Sequence, residues 1–333
     1  MKRDVRYDVM RIVAIGLVVL QHAWSIPQLD TPEHGLLCYV YGALVSCGVP
    51  LFIMVSGALN LRPSMNSYRS FFSKRLLRVF VPFLIWSAVI YGMTALTGGY
   101  AEVNNWHDAI RCYLPYLATN RINASHWFIY VLLMLYLVTP VLQRALAAGD
   151  ARKTAGYILV VVCVLAVSAK IYPDLFLLRY TSELLLFIGL YVAGYYLSQY
   201  SVNPTLNILV GSIAFVGLYA SNVVLCRPAY LLIALSAVGL FMLLMGVDCS
   251  QWSKRKEMTI TALSSYTYFI YLIHIPFVHV FYLLQARYFP YEQPWIDWLL
   301  PIGVMISTIA VTATIGWCAE RLLGKRALYI GIA

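Results

Sequence analysis

Charge is what this sequence has least of. Only 11% of its 333 residues are Asp, Glu, Lys or Arg. Soluble domains carry roughly a quarter, so water is excluded as the main solvent of the folded chain. Acidic residues are scarcer still, 14 against 24 basic ones. The seven cysteines (Cys38, Cys47, Cys112, Cys163, Cys226, Cys249 and Cys318) form no CxxC pair, and no HxxxH or carboxylate-flanked histidine pair occurs. Metal-ligand spacing is therefore absent and no metal is predicted. Most of the thiols read as small apolar packers, although Cys112 and Cys226 both fall on the predicted outer side, where a disulfide is chemically permitted. Repeats of about 20–50 residues, low-complexity tracts and Gly/Ser linkers are missing too, which makes residues 1–333 a single membrane domain with no separate soluble one.

What fills the sequence instead is apolar: 61% of the residues are hydrophobic. Runs of about 18 to 25 such residues recur from end to end, each long enough to cross a hydrocarbon core of roughly 30 Å as a helix. The runs are continuous rather than alternating, which favours a helical bundle over a barrel. They predict an all-α integral membrane protein of about ten transmembrane helices, at 9–27, 37–61, 76–98, 126–146, 154–172, 178–198, 205–225, 228–247, 263–287 and 296–320.

Lys and Arg fix the expected orientation, because cytoplasmic loops keep positive charge. With both termini in the cytoplasm, 18 of the 24 basic residues lie inside, and only Arg111, Arg121, Lys170, Arg179, Arg227 and Arg287 lie outside. The net charge of +10 is thereby explained without a nucleic-acid partner. Residues 1–25 resemble a signal peptide in having Lys2, Arg3 and Arg6 before an apolar run, but Asp8 and Arg11 abut that run and a second span follows at once, so a first membrane span accounts for them better. Between the third and fourth spans, Trp106 to Leu117 is amphipathic, either an interfacial helix or a plain connector. The 26 tyrosines and 8 tryptophans fit interfacial belts.

Ionisable groups within a span are costly and mark candidate functional sites. The first span holds Asp8, Arg11 and His22. From Arg11 to His22 the chain turns through roughly 1,100°, about 20° beyond three turns, and rises about 16 Å. The two side chains therefore share one face, with Asp8 a turn below Arg11. The plain alternative is an i,i+3 ion pair at the helix end and an unrelated outer-end histidine. His274 lies near the middle of the ninth span, where it either serves the site or hydrogen-bonds a neighbouring helix.

Five stretches, in order, resemble the bacterial acyltransferase family 3 of integral membrane acyltransferases. Arg11, ten intervening residues and His22 match its Arg-x10-His pattern. Gly48-Val49-Pro50-Leu51-Phe52 through Ser56-Gly57 is similar to its second-helix run, although Ala58 stands where the family often has an aromatic. Lys74-Arg75-Leu76-Leu77-Arg78 leading to Pro82 resembles its Arg-x-x-Arg-x-x-x-Pro start of helix 3. His126-Trp127-Phe128 with Tyr136 and Pro140 looks like its fourth-helix pattern, and Leu263 to His274 like its ninth.

The resemblance implies transfer of an acyl group, usually acetyl, from cytoplasmic acyl-CoA to a hydroxyl of a glycan or lipid-linked saccharide at the outer face of the bacterial cytoplasmic membrane. The residues suit that task. Lys74, Arg75 and Arg78, joined by Arg69, offer donors for the phosphates of coenzyme A, or else simply obey the positive-inside rule, and Ser56 is a further candidate for holding the donor. A neutral His22 can take a proton from an attacking hydroxyl or accept the acyl group, while Arg11, steadied by Asp8, orients the donor. His126, Trp127, Glu183 and His274 are candidates for meeting the acceptor. His126 and Glu183 read equally well as interfacial polar residues. A transporter of a sugar or small polar solute suits ten helices as well, though no inverted repeat or interrupted helix is evident; a sensor or anchor would leave the Arg11–His22 alignment without a use.

Overall fold

The computed structural model describes residues 3–24, 41–62, 67–171, 176–200, 203–224, 230–288 and 294–332. All regular structure among them is helical. The helices are α1 (Val5–Trp24), α2 (Gly48–Asn60), α3 (Tyr68–Arg75), α4 (Val81–Leu96), α5 (Trp106–Ala118), α6 (Trp127–Ala147), α7 (Ala151–Ile171), α8 (Phe176–Tyr200), α9 (Pro204–Val224), α10 (Tyr230–Met245), α11 (Lys254–Ser265), α12 (Thr267–Tyr288) and α13 (Pro294–Leu323), closed by a 3-10 segment (Gly324–Ile330).

Seven helical stretches among the described residues are long and apolar enough to cross a membrane: Val5–Trp24, Tyr41–Asn60, Tyr68–Leu96, Ala124–Ala147, Pro204–Ser221, Thr267–Gln285 and Leu299–Ile330. These coincide with seven of the ten expected spans. The other three, at 154–172, 178–198 and 228–247, fall on α7, α8 and α10, helices that adjoin undescribed residues; α10 contains a shorter apolar run, Leu231–Met245.

Local signals explain where the polar helices start. Ser67, Asn105 and Ser253 accept hydrogen bonds from the backbone N–H groups of Ser70 (3.3 Å), Asp108 (3.0 Å) and Lys256 (3.3 Å), which caps α3, α5 and α11. Between α3 and α4 the backbone makes a π turn, Leu76–Phe80, in which the Val81 N–H reaches back to the Leu76 carbonyl. The widened turn falls directly before Pro82, which has no N–H to continue the ladder.

At the centre of the bundle, α1 packs against α2, α10, α11, α12 and α13. Met10, Ala14, Ile15, Val18 and Val19 are all buried, on the helical spacing that sends one stripe into the core. In lipid, helix association relies on close packing rather than on apolar burial. The α2–α8 crossing illustrates this: a Cβ built on Gly57 would collide with the Tyr191 carbonyl, and one on Gly194 with the Met54 carbonyl. Only glycine lets these two backbones touch.

The amphipathic stretch expected at Trp106–Leu117 is α5. Its Tyr116 is buried against Tyr91 and Tyr100, while Trp106, Ile110 and Leu114 are exposed. Cys226, considered above with Cys112, lies outside the described residues.

Candidate active site

A cavity of about 530 Å³ opens at the N-terminal end of α1. Five arginines line it, Arg3, Arg11, Arg62, Arg75 and Arg78, against two carboxylates, Asp4 and Asp8. The excess of guanidinium charge makes it a site for an anion, and planar guanidinium forks suit phosphate oxygens in particular.

Asp8 is almost fully buried at the cavity floor. Its carboxylate accepts two hydrogen bonds from Arg3, at 2.7 and 2.8 Å, one from the Ser264 hydroxyl at 2.8 Å and a longer one from Thr261 at 3.4 Å. Arg11 stands further off, 3.6 Å from the same carboxylate. The sequence pairs Asp8 with Arg11; in the structure Arg3 is its nearer partner. The carboxylate in turn raises the pKa of the Arg3 guanidinium, chiefly through those hydrogen bonds. Because Arg3 takes most of Asp8, Arg11 keeps donor capacity for a ligand.

Arg75 is held more tightly. It donates to the Asn60 side chain, and its guanidinium lies 5.4 Å from the Phe71 ring centre and 5.5 Å from that of Tyr136. Its Nε–H is buried and meets no acceptor among the described residues. A buried charged donor of this kind is costly unless an acceptor arrives. Arg62 donates to the Tyr7 hydroxyl at 3.1 Å and to the Ala58 carbonyl at 3.1 Å. Ser56 also lines the cavity, whereas Lys74 points out to the surface and Arg78 is an exposed rim residue.

Tyr268 and Tyr271 form the wall furthest along α12. The Tyr271 hydroxyl donates to the Ser125 carbonyl, and its ring lies 5.9 Å from that of His274 and 6.3 Å from that of His126. Beyond it, the rings of His22 and His274 are 5.0 Å apart. Three histidines from α1, α12 and the 3-10 turn Ala124–His126 thus gather just past the cavity. His126 and His274 are buried. One His126 ring nitrogen, Nε2, lies 3.2 Å from the Leu272 carbonyl and 3.3 Å from the Asn123 amide nitrogen.

Of the expected acceptor-side residues, His274 therefore meets His22, and His126 lies against the neighbouring Tyr271 ring. Trp127 is exposed and packs on Phe187, and Glu183 is exposed on α8; neither lines the cavity. Arg3, Arg62, Tyr136 and Tyr271 are among the lining residues that the sequence did not single out. Tyr136 and Tyr271 do lie inside the stretches quoted for the family resemblance. Arg3 and Arg62 carried no signal beyond an expected inner-side charge. Among the described residues no group of three or more His, Cys, Asp or Glu could hold a metal ion.

Fixed positive charge thus lines one end of this region, and three imidazoles lie just beyond it. A family model described as an acyltransferase domain matches residues 4–317, nearly the whole chain. The chain belongs to that family, and seven helical stretches among its described residues are long and apolar enough to cross a membrane. Nodulation protein 10 from Rhizobium leguminosarum bv. viciae is 34% identical over 96 residues, a stretch that makes up 28% of this chain and 26% of that protein. No solved structure matches.

Proposed function

We propose that the protein is a membrane O-acyltransferase that moves an acyl group, acetyl in the simplest case, from cytoplasmic acyl-CoA to a hydroxyl of an extracytoplasmic glycan or lipid-linked saccharide. The observation that carries this reading is the five-arginine cavity, whose buried Arg75 Nε–H has no acceptor among the described residues and whose far wall, Tyr271, adjoins the histidine cluster. Coenzyme A supplies the phosphates such a cavity needs and exists on the inner side, where the positive-inside rule leads us to put the N-terminal end of α1. Its thioester arm would run past Ser56 and Tyr271 toward His22.

In this reading Arg11, Arg75 and Arg78 hold the donor, and Asp8 holds Arg3 across the cavity floor. His22 takes the proton from the acceptor hydroxyl as its oxygen attacks the thioester carbon. The barrier falls mainly because donor and acceptor are held together in a dry site, with proton transfer by His22 adding to that. His126 meets the acceptor from the outer side.

Calorimetry of acetyl-CoA binding to the full chain in nanodiscs tests the reading. Saturable binding by wild type, weakened at least tenfold in an Arg75→Ala, Arg78→Ala double variant, is expected. A folded wild type that binds no acetyl-CoA would overturn the reading in favour of solute transport.

A further inference from the structure

His274 is fully buried, and its Nδ1 lies 2.7 Å from the Tyr271 backbone carbonyl. A carbonyl oxygen only accepts, so Nδ1 must carry the hydrogen. That fixes the tautomer: Nε2 is left with a bare lone pair and is a proton acceptor by construction. This same Nε2 is buried with no hydrogen-bond partner among the described residues. An orphaned acceptor in a dry interior is unfavourable, and such a site calls for an explanation. The His22 ring, tilted by 47°, has its centre 5.0 Å from that of His274.

We infer that His22 and His274 form a two-histidine proton relay, in which the Nε2 lone pair of His274 receives the proton that His22 removes from the acceptor hydroxyl. The inference rests on the acyltransferase reading above and adds a route for the proton. In the transfer, the hydroxyl O–H breaks, its oxygen forms a bond to the thioester carbon, and the C–S bond breaks. The proton lost by the hydroxyl must end on the departing thiolate, because a neutral alcohol and a thioester become an ester and a free thiol. Oxygen and sulfur share the thioester carbon in the tetrahedral intermediate, so the span between them is short; what the second imidazole adds is a buried Nε2 that holds the proton while the C–S bond breaks and then gives it, from that same nitrogen, to the thiolate. Once His274 carries the proton, its Nδ1–H bond to the Tyr271 carbonyl becomes charge-assisted and steadies the cation. Tyr271 is also a wall of the donor cavity, which brings the relay to the side where the thiolate leaves.

The test uses the full chain in nanodiscs with acetyl-CoA as donor, thiol release to water or to added glycan hydroxyls as readout, and His22→Asn, His274→Asn and the double variant. Asparagine at 274 preserves a donor to the Tyr271 carbonyl but cannot be protonated, so a purely structural role would survive the change. The relay predicts that His274→Asn lowers kcat about 100-fold or more while KM and Kd for acetyl-CoA stay within twofold, and that the double variant is no slower than either single one. Near-wild-type kcat in His274→Asn beside a dead His22→Asn overturns the relay and leaves the functional reading standing. A loss of donor affinity in His274→Asn, or additive losses in the double variant, also overturns it. If wild type releases no thiol, the acetyl-CoA reading fails by itself, and nitrogen-15 spectra of labelled histidines still decide the geometry: a protonated Nε2 on His274 would sink the relay.

Discussion

The two ends of one face of α1 are built from opposite chemistry. At the N-terminal end, Arg11 joins four other arginines and two carboxylates around an open cavity. Eleven residues along the helix, His22 sits with His274, whose neighbour Tyr271 also faces His126. Fixed charges recognise an anion while water is still present and fill their own vacancies with partners such as Asp8 and Asn60. Proton transfer asks for the reverse: neutral groups near their operating pH in a site that excludes water. About 16 Å of helix rise along α1 separates the guanidinium charges from the imidazoles.

The sharpest way to break this comparison is to remove the imidazole and leave the arginines alone. His22→Ala is expected to lower turnover by about 10²–10⁴-fold, the range for losing a general base, with acetyl-CoA affinity unchanged by calorimetry. Wild-type rates in a folded variant would show that the two ends do not divide the work as described.

The reciprocal change acts on binding. Arg75→Lys keeps a positive charge but loses the planar fork that meets Asn60 and lies over Phe71 and Tyr136. A hydrogen bond to a charged group is worth roughly 1.5–3 kcal/mol, so donor affinity should fall about 10- to 100-fold while kcat at saturation is retained. Lowering kcat without touching Kd would place Arg75 in the chemistry instead. Affinity of the wild type should also weaken as salt is raised, since the cavity mouth is open to solvent.

Gly57 tests whether the cavity wall needs its present stiffness. Ser56, its neighbour, lines the cavity, and Gly57 lets α2 touch α8. Gly57→Ala has no room without moving a backbone, and overpacking of this kind costs about 1–3 kcal/mol. Thermal unfolding in detergent should drop accordingly, with donor binding affected more than the histidine chemistry. Unchanged stability would mean that the two helices part easily.

How much of this was legible in the sequence depends on whether one helix or two are involved. The Arg11–His22 alignment follows from helical periodicity within α1, and the apolar runs mark where helices lie even where they do not count spans reliably. Asp8 was legible as a site residue, but its nearer partner was not: Arg3 lies before α1 and approaches by a local path that no period describes. His274 could be read as buried, yet its approach to His22 joins residues 252 positions apart through the packing of α1 on α12. Lys74 and Trp127 sit on the same stretches as true lining residues and face outward, and Glu183 is exposed on α8, which lines no part of the cavity. Sequence alone supplies no side for a residue at a helix end.

The smallest effect expected lies furthest from both ends, at the clasp that holds α5. Tyr116 donates to Glu102 at 2.7 Å, with Arg121 3.6 Å away on the other side of that carboxylate. The hydrogen bond from Tyr116, then the Arg121 charge, holds Glu102 below the usual carboxylate range, and the same hydrogen bond pushes the Tyr116 phenol up to about 12. A lowered carboxylate stabilises the fold above its ordinary pKa and stops doing so as pH falls through the folded value. A raised phenol stabilises below its ordinary value near 10 and stops as pH rises through about 12. Protection of α5 amides against hydrogen exchange, corrected for intrinsic rates, should therefore be flat from about pH 5 to 9 and fall off at both extremes. Glu102→Gln should flatten the acid limb, and because the carboxylate is exposed the loss at neutral pH should stay small. Turnover should hardly move, since α5 contributes no residue to the arginine cavity; a large fall in activity would mean that this clasp, and not only the two ends of α1, reaches the chemistry.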